Sequence, residues 1–353
     1  MRILKTLITP FAMNNQRFQY IDVAKGLLII LVVFHHIPIV IERLGVEDDV
    51  FSCFHNNEFV YTPFFMAAFF SITGFISGSK HYHQRGVRET ILRSLKGIIL
   101  PGFTLGIINQ LIMAIFYGGV MVDYLRIPFS AIKQLLLYGG NYWFLSAMFL
   151  SRVIDSFILN TLNIRRSLLR TSIYLLLLFL GVILTTKKIP NIWHFQQAFI
   201  FIFFIEFGRL FSQMKHKKKL IYGSCLCYLL IICLLKVYSG SIPVVTARIS
   251  LKTYEVPVFL ILSTCGSLMV IGVSYLIKQN KVLEFLGRNT IIIYGLHISF
   301  LFLYATLIAP TLGHNGYMSL LGMLLLLITV LVTMFFFIKV LNIRFIRFLI
   351  GKF

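Results

Sequence analysis

Ten apolar runs, each about as long as a bilayer core is thick, constrain the fold of this chain more than any other feature. A membrane-spanning helix needs roughly 20 such residues. With 58% hydrophobic and 13% charged residues, the chain could not cover the surface of a water-soluble domain. We therefore predict an all-α, polytopic transmembrane helical bundle of about ten helices. The runs lie at 21–41, 59–79, 95–117, 142–160, 168–186, 194–213, 220–239, 255–277, 290–310 and 317–339.

The basic residues predict the orientation of the bundle. Of the 33 Lys and Arg residues, 23 fall in the terminal segments and alternate loops that would share one side, and only 8 fall in the opposite loops, 118–133 among them. Because cytosolic loops carry the basic excess, both termini are predicted to be cytosolic. We expect one membrane domain over 1–353, with a cytosolic N-terminal segment at 1–20 and a basic cytosolic tail at 340–353.

The net charge of +21 could suggest nucleic-acid binding, but the basic residues are scattered over short loops between spans. Their expected roles are to set topology and to attract the anionic headgroups of membrane lipids, so no nucleic-acid partner is predicted. The five cysteines have no metal-ligand spacing, and we predict no metal site.

Within the first span, Lys25 and His36 are the strongest indication of function, since ionisable side chains are expensive in hydrocarbon. Eleven residues at about 100° each end only about 20° from the starting direction. The two side chains therefore share one helix face, about 16 Å apart along the axis, whereas His35 points elsewhere.

His36 has two interpretations: an interhelical hydrogen-bonding residue, or a general base. A neutral imidazole can remove a proton from a hydroxyl at physiological pH. Asp22 lies near the same stripe but about 21 Å from His36, and we expect it to pair with Lys25, with Arg17 or with another helix. Glu206 and His297 are further ionisable groups inside spans and hence candidates for a supporting polar stripe.

Cations and aromatic residues mark the two mouths of the bundle. Arg93 and Lys96 open the third span on one helix face, and with Arg17 and Lys25 they offer four cations to a polyanionic ligand from the cytosol. The alternative is that Arg93 and Lys96 only set the topology of the helix in the membrane. At the outer side, Asn141, Tyr142 and Trp143 fit either an aromatic belt or the face of a sugar ring.

These residues together resemble the membrane-bound acyltransferase 3 family, especially its branch of fucose 4-O-acetylase-like proteins and polysaccharide O-acetyltransferases. The spacing of Lys25 and His36 is the most specific match, although Lys25 and Lys96 stand where Arg is more usual. The softer matches are the Phe-rich stretch 69–75, Arg93 with Lys96, Trp143-Phe144-Leu145, and Gly287-Arg288-Asn289 followed by Tyr294 and His297.

The resemblance implies an enzyme of the bacterial cytoplasmic membrane that transfers an acyl group, usually acetyl, from acyl-CoA to a hydroxyl of a carbohydrate acceptor. Acetyl-CoA would be a donor substrate rather than a permanently bound cofactor. Arg17, Lys25, Arg93 and Lys96 would bind its phosphates, and His36 would act as base or form a transient acyl-histidine.

Three alternatives stay open at this point. Ten spans with buried charges also describe a carrier or flippase for a lipid-linked saccharide, although the inverted repeats of many transporters are not evident. A non-catalytic scaffold for envelope assembly is the second, and transfer of succinyl or another acyl group is the third.

Overall fold

The computed structural model describes residues 19–46, 53, 60–79, 86–116, 121–139, 142–164, 166–187, 189–214, 217–238, 251, 255–308 and 316–341. These residues form helices and connecting turns. The helices are α1 (Gln19–Arg43), α2 (Thr62–Gly78), α3 (Val87–Ser94), α4 (Leu100–Phe116), α5 (Met121–Tyr138), α6 (Trp143–Asn160), α7 (Ser167–Thr186), α8 (Phe195–Gln213), α9 (Lys217–Tyr238), α10 (Val256–Ile277), α11 (Lys281–Arg288), α12 (Thr290–Ile308) and α13 (Gly316–Leu341).

The helices confirm the predicted fold class. Among the described residues, nine helical stretches are long and apolar enough to cross a membrane, and α2 is a shorter apolar helix of 17 residues. Every one of the ten predicted runs therefore contains a helix. The terminal segments 1–18 and 342–353, with their predicted cytosolic placement, lie outside the described residues.

One segment predicted as a loop forms a helix. The segment 118–133, expected as an outer loop, lies largely in α5, which is too polar to meet the criteria for a span. Pro128 falls inside this helix and α5 packs against α4. Packing against a neighbour thus decides helix formation where hydrophobicity does not.

Two close crossings position α1 and α2. A Cβ at Gly26 would overlap the Leu283 carbonyl of α11, and one at Gly287 would overlap the Asp22 carbonyl of α1. The same reciprocal arrangement joins α2 to α8, where Gly74 faces the Ile205 carbonyl and Gly208 faces the Ser71 carbonyl. Small residues let membrane helices approach backbone to backbone, and here they fix α11 on α1 and α8 on α2.

Between α3 and α4 the helix widens into one π-helical turn, Leu95–Ile99, in which the Leu100 amide donates to the Leu95 carbonyl. Pro101 follows directly and has no amide hydrogen to continue the regular bonding. Such turns are frequent at functional sites, and this one carries Lys96.

Candidate functional site

Two imidazoles face each other across a helix contact, one from α1 and one from α12. His297 Nε2 lies 3.3 Å from His36 Nδ1, and the ring centroids are 4.8 Å apart with planes at 76°. His297 is 1% exposed, whereas His36 is only half-buried and retains accessible surface. His36 is therefore the member of the pair that a ligand can reach.

Backbone carbonyls fix which nitrogen of each ring carries the proton. His297 Nδ1 lies 2.9 Å from the Tyr294 carbonyl and 3.1 Å from the Ile293 carbonyl, so Nδ1 must carry a hydrogen and donate it. Likewise His36 Nδ1, at 2.8 Å from the Val32 carbonyl, is a donor. In the neutral pair, the one Nδ1 hydrogen of His36 is shared between the Val32 carbonyl at 2.8 Å and His297 Nε2 at 3.3 Å, and His36 Nε2 keeps its lone pair.

His35 points to a different surface, as the helix phase predicts. Its ring lies against Phe65 of α2 and against Tyr61, the residue that precedes α2. The ring centroid of His35 is 5.5 Å from that of Phe65 and 6.1 Å from that of Tyr61. Pro38 follows in the same turn of α1 and cannot donate to a carbonyl four residues earlier. The structure therefore separates the doublet into one aromatic-packed histidine and one that meets His297.

Aromatic and polar side chains surround the imidazole pair on the α12 side. The Tyr142 hydroxyl donates to the Gly295 carbonyl, and its ring lies 5.6 Å from that of Tyr294, which lies 6.0 Å from that of His297. One turn beyond Gly295 on α12, Ser299 donates to the Asn109 side chain of α4. Tyr142, predicted to bind the acceptor, is thus linked through Tyr294 to the histidine pair.

At the other end of the Lys25 to His36 stripe, two cations share one buried carboxylate. Lys25 Nζ lies 3.9 Å from one Asp22 oxygen, and Arg288 Nε lies 3.2 Å from the other. Arg288 also binds Glu284, 2.9 Å away on its own helix. The Asp22 side chain is 4% exposed, against 27% for Lys25 and 43% for Arg288, so the carboxylate lies beneath the two cations.

Arg93 and Lys96 lie at the surface of the bundle. Arg93 pairs with Glu89 of its own helix at 2.8 Å, and both it and Lys96 are exposed. Their segment packs on α6, where Ser156 Oγ donates to Thr90 Oγ1 at 3.1 Å. Lys25, in contrast, belongs to the contact of α1 with α11.

The amino-acid sequence was compared with models of known protein families. The model described as an acyltransferase domain, Acyl_transf_3, matches residues 18–339. The chain belongs to this acyltransferase family. The match runs from the start of α1 almost to the end of α13. It therefore includes the histidine pair and the group formed by Asp22, Lys25, Glu284 and Arg288, called the Asp22 cluster below. The comparisons with curated proteins and with solved structures found no significant match.

Within this acyltransferase, Glu206 lies in a separate buried cluster of charges. Arg170 donates to both Glu206 oxygens at 2.7 Å, and Arg209 binds Glu206 at 2.5 Å and both Asp155 oxygens at 2.6 Å. Tyr174 donates to Asp155 at 2.6 Å. Two acidic and two basic residues from α6, α7 and α8 thus balance one another, and Glu206 is completely buried among them.

Arg170 and Arg209 lie near the ends of two predicted runs, 168–186 and 194–213, and were counted among the cytosolic basic residues. The structure corrects this placement. Both lie inside helices and are 6% and 5% exposed. Their pairing with Glu206 and Asp155 makes burial possible. The available signal was four ionisable residues at helical positions of three neighbouring spans, Asp155 among them.

The remaining predicted site residues have simple placements. Trp143 is half-buried and its ring lies 6.1 Å from Phe144 and 6.0 Å from Phe201, so it packs toward α8. Arg17 and Asn141 lie outside the described residues. Over the described part of the chain, no group of three or more His, Cys, Asp or Glu side chains could hold a metal ion.

Proposed function

We propose that this membrane acyltransferase moves an acetyl group from acetyl-CoA to a hydroxyl of a cell-surface polysaccharide or of its lipid-linked precursor. We place it in the bacterial cytoplasmic membrane, in the branch of fucose 4-O-acetylase-like proteins. Membership of an acyltransferase family favours an enzyme over the carrier or the scaffold. The observation that carries the mechanism is the histidine pair, in which His36 presents a basic nitrogen.

His36 Nε2 is the atom that we assign as the general base. It takes the proton from the acceptor hydroxyl as that oxygen attacks the thioester carbonyl carbon. The carbon–sulfur bond then breaks, and the CoA thiolate takes the same proton back from the imidazolium. The products are the acetyl ester and free CoA, and the enzyme returns to its starting protonation state.

His297 supports this step by its fixed orientation. Its Nδ1–H is held by two backbone carbonyls, so its Nε2 can only accept. Together with the Val32 carbonyl, it keeps the proton of the His36 ring on Nδ1. When the imidazolium forms, the same bond joins a charged donor to a neutral acceptor and strengthens. His297 is therefore a positioning residue in this proposal.

The donor would lie along the stripe between the two sites. Lys25 begins the stripe at the Asp22 cluster and His36 ends it at the imidazole pair, about 16 Å away along α1. CoA phosphates at the cytosolic mouth and an extended pantetheine arm along α1 would bring the thioester to His36. Arg17, Arg93 and Lys96 are further candidates for the phosphates, and Tyr142 and Trp143 for the acceptor.

The test compares two identical substitutions at adjacent positions. Membrane vesicles containing the protein would receive labelled acetyl-CoA and cell-envelope glycans, and transfer of label would be measured. His36→Phe should lower transfer at least a hundredfold, as expected for loss of a general base. His35→Phe places an aromatic ring among those of Tyr61 and Phe65 and should retain most of the activity.

Insertion and thermal stability of both variants would be checked by protease protection and by a melting curve. Normal transfer by a correctly inserted His36→Phe protein would exclude His36 as the base. Transfer from succinyl-CoA but not from acetyl-CoA would retain the mechanism and replace the donor.

A further inference from the structure

We propose that Arg288 binds a phosphate of the acyl donor jointly with Lys25, an assignment that rests on the proposed function. The two cations occupy the two oxygens of the same buried carboxylate, Asp22. The acyltransferase thus has, at the mouth of the stripe, a pair of partly exposed cations whose relative position is set by a group beneath them. The ligand chemistry that suits such a pair is a phosphate monoester or a diphosphate.

The position of Arg288 is fixed by the short helix that carries it. The Asn280 side chain caps α11 by accepting from the Val282 and Leu283 amides at 3.0 Å. At the opposite end, Gly287 contacts the Asp22 carbonyl so closely that a Cβ would not fit. A side chain on a capped helix that is locked against α1 is held for binding at low entropic cost.

The guanidinium can bind a phosphate without releasing its carboxylates. A guanidinium has about five N–H donors, and its Nε and one Nη2 hydrogen serve Asp22 and Glu284. The Arg288 side chain is 43% exposed, more than that of Lys25. Its planar fork can grip two phosphate oxygens, which the point charge of Lys25 cannot do.

A second alignment supports the donor as the source of this phosphate. Lys25 precedes His36 on α1, and Arg288 precedes His297 by roughly two and a half helical turns on the segment that continues into α12. The two cations meet at Asp22 and the two imidazoles meet each other. In this proposal, α1 and the segment formed by α11 and α12 therefore lie side by side, with the phosphate-binding residues at one end and the reacting histidines at the other.

The experiment measures acetyl transfer as a function of acetyl-CoA concentration in vesicles. Arg288→Gln should raise the KM for acetyl-CoA about tenfold, the loss expected for hydrogen bonds to a charged group. The kcat at saturating donor should change less than about twofold, because binding in the ground state and in the transition state is lost equally. Lys281→Gln removes an exposed charge from the same helix and should leave the KM unchanged.

Arg288→Lys keeps a cation on Asp22 and removes the fork, so it should give an intermediate KM. It carries the test if Arg288→Gln proves unstable. Inhibition by CoA supplies a second readout. In the wild-type enzyme and in Lys281→Gln, CoA should inhibit at lower concentration than in Arg288→Gln.

An anionic lipid headgroup offers the same phosphate chemistry, and the lipid composition separates the two sources. The KM shift of Arg288→Gln should persist in phosphatidylcholine vesicles without anionic lipid. A shift that appears only with phosphatidylglycerol present would assign the pair to lipid and overturn the proposal, as would an unchanged KM in both. If the wild-type enzyme transfers nothing from any acyl-CoA, the proposed function itself fails.

Discussion

At the scale of single residues, the chemistry depends on which nitrogen of each histidine holds a proton. The Nδ1 atoms of His36 and His297 both lie against carbonyls of their own helices, at 2.8 Å and 2.9 Å. A backbone carbonyl four or three residues earlier is a property of the helix itself. Each ring is therefore oriented by local structure, and only their meeting requires the tertiary fold.

This arrangement predicts a graded series at position 297. The Gln side-chain oxygen can accept from His36 Nδ1–H, whereas Phe cannot, so His297→Gln should lower kcat about tenfold and His297→Phe more. The KM for acetyl-CoA should stay within about twofold in both, since the donor phosphates bind elsewhere. Equal activity of the Gln and Phe variants would contradict the positioning role, and pH profiles of kcat would show whether His36 still titrates as the base.

At the scale of elements, the eight-residue helix α11 determines where Arg288 lies relative to α1. Its contact with α1 depends on two glycines that interlock, Gly26 against Leu283 and Gly287 against Asp22. The contact brings Arg288 beside Lys25. The sequence places Gly287 and Arg288 in a motif, and the crossing gives the physical reason for the glycine.

A methyl group at this crossing should separate the elements. Gly287→Ala would force α11 away from the Asp22 carbonyl, and overpacking of this kind costs about 1–3 kcal/mol. We expect a lower melting temperature together with a higher KM for acetyl-CoA. Gly223→Ala in α9 is the matched control, because a Cβ there meets nothing within 4 Å and helix propensity favours Ala. A melting curve that ranks the two variants in the opposite order would refute the crossing.

At the scale of the whole molecule, the described residues of the acyltransferase include two separate groups of buried charge. The Asp22 cluster opens onto the surface through Lys25 and Arg288. The second group, Asp155 with Arg170, Glu206 and Arg209, is almost completely enclosed among α6, α7 and α8. The first can receive a ligand, whereas the second holds three helices together.

Glu206→Gln should therefore reduce stability rather than catalysis. Removing one partner of a buried pair leaves a cation uncompensated and costs about 3–5 kcal/mol. The melting temperature should fall strongly, while the kcat of the protein that remains folded should be close to wild type. The double variant Glu206→Gln with Arg170→Gln should recover part of the loss, because the two charges are removed together. A lower kcat at unchanged melting temperature would contradict this structural role and assign Glu206 to the active site.

The exposed pair Glu89 and Arg93 provides the comparison. Glu89→Gln should change the melting temperature little, since exposed pairs within a helix contribute about 0.3–0.5 kcal/mol.

The amino-acid sequence by itself determined the fold class, because lipid leaves few structures for apolar runs of spanning length. It also determined that Lys25 and His36 share a face and that His35 does not, since helix geometry alone fixes these directions. Helix geometry also limited the expected partners of the Asp22 carboxylate to Lys25, Arg17 or a residue of another helix.

The tertiary structure alone decided which distant residues meet. Nothing local indicates that His297 would approach His36 or that Arg288 would share Asp22 with Lys25, because 261 and 266 residues separate the partners in the chain. Arg170 and Arg209 were counted with the cytosolic basic residues for the same reason. A lone arginine near the end of an apolar run favours assignment to the adjacent loop, and only a carboxylate on a neighbouring helix makes its burial favourable.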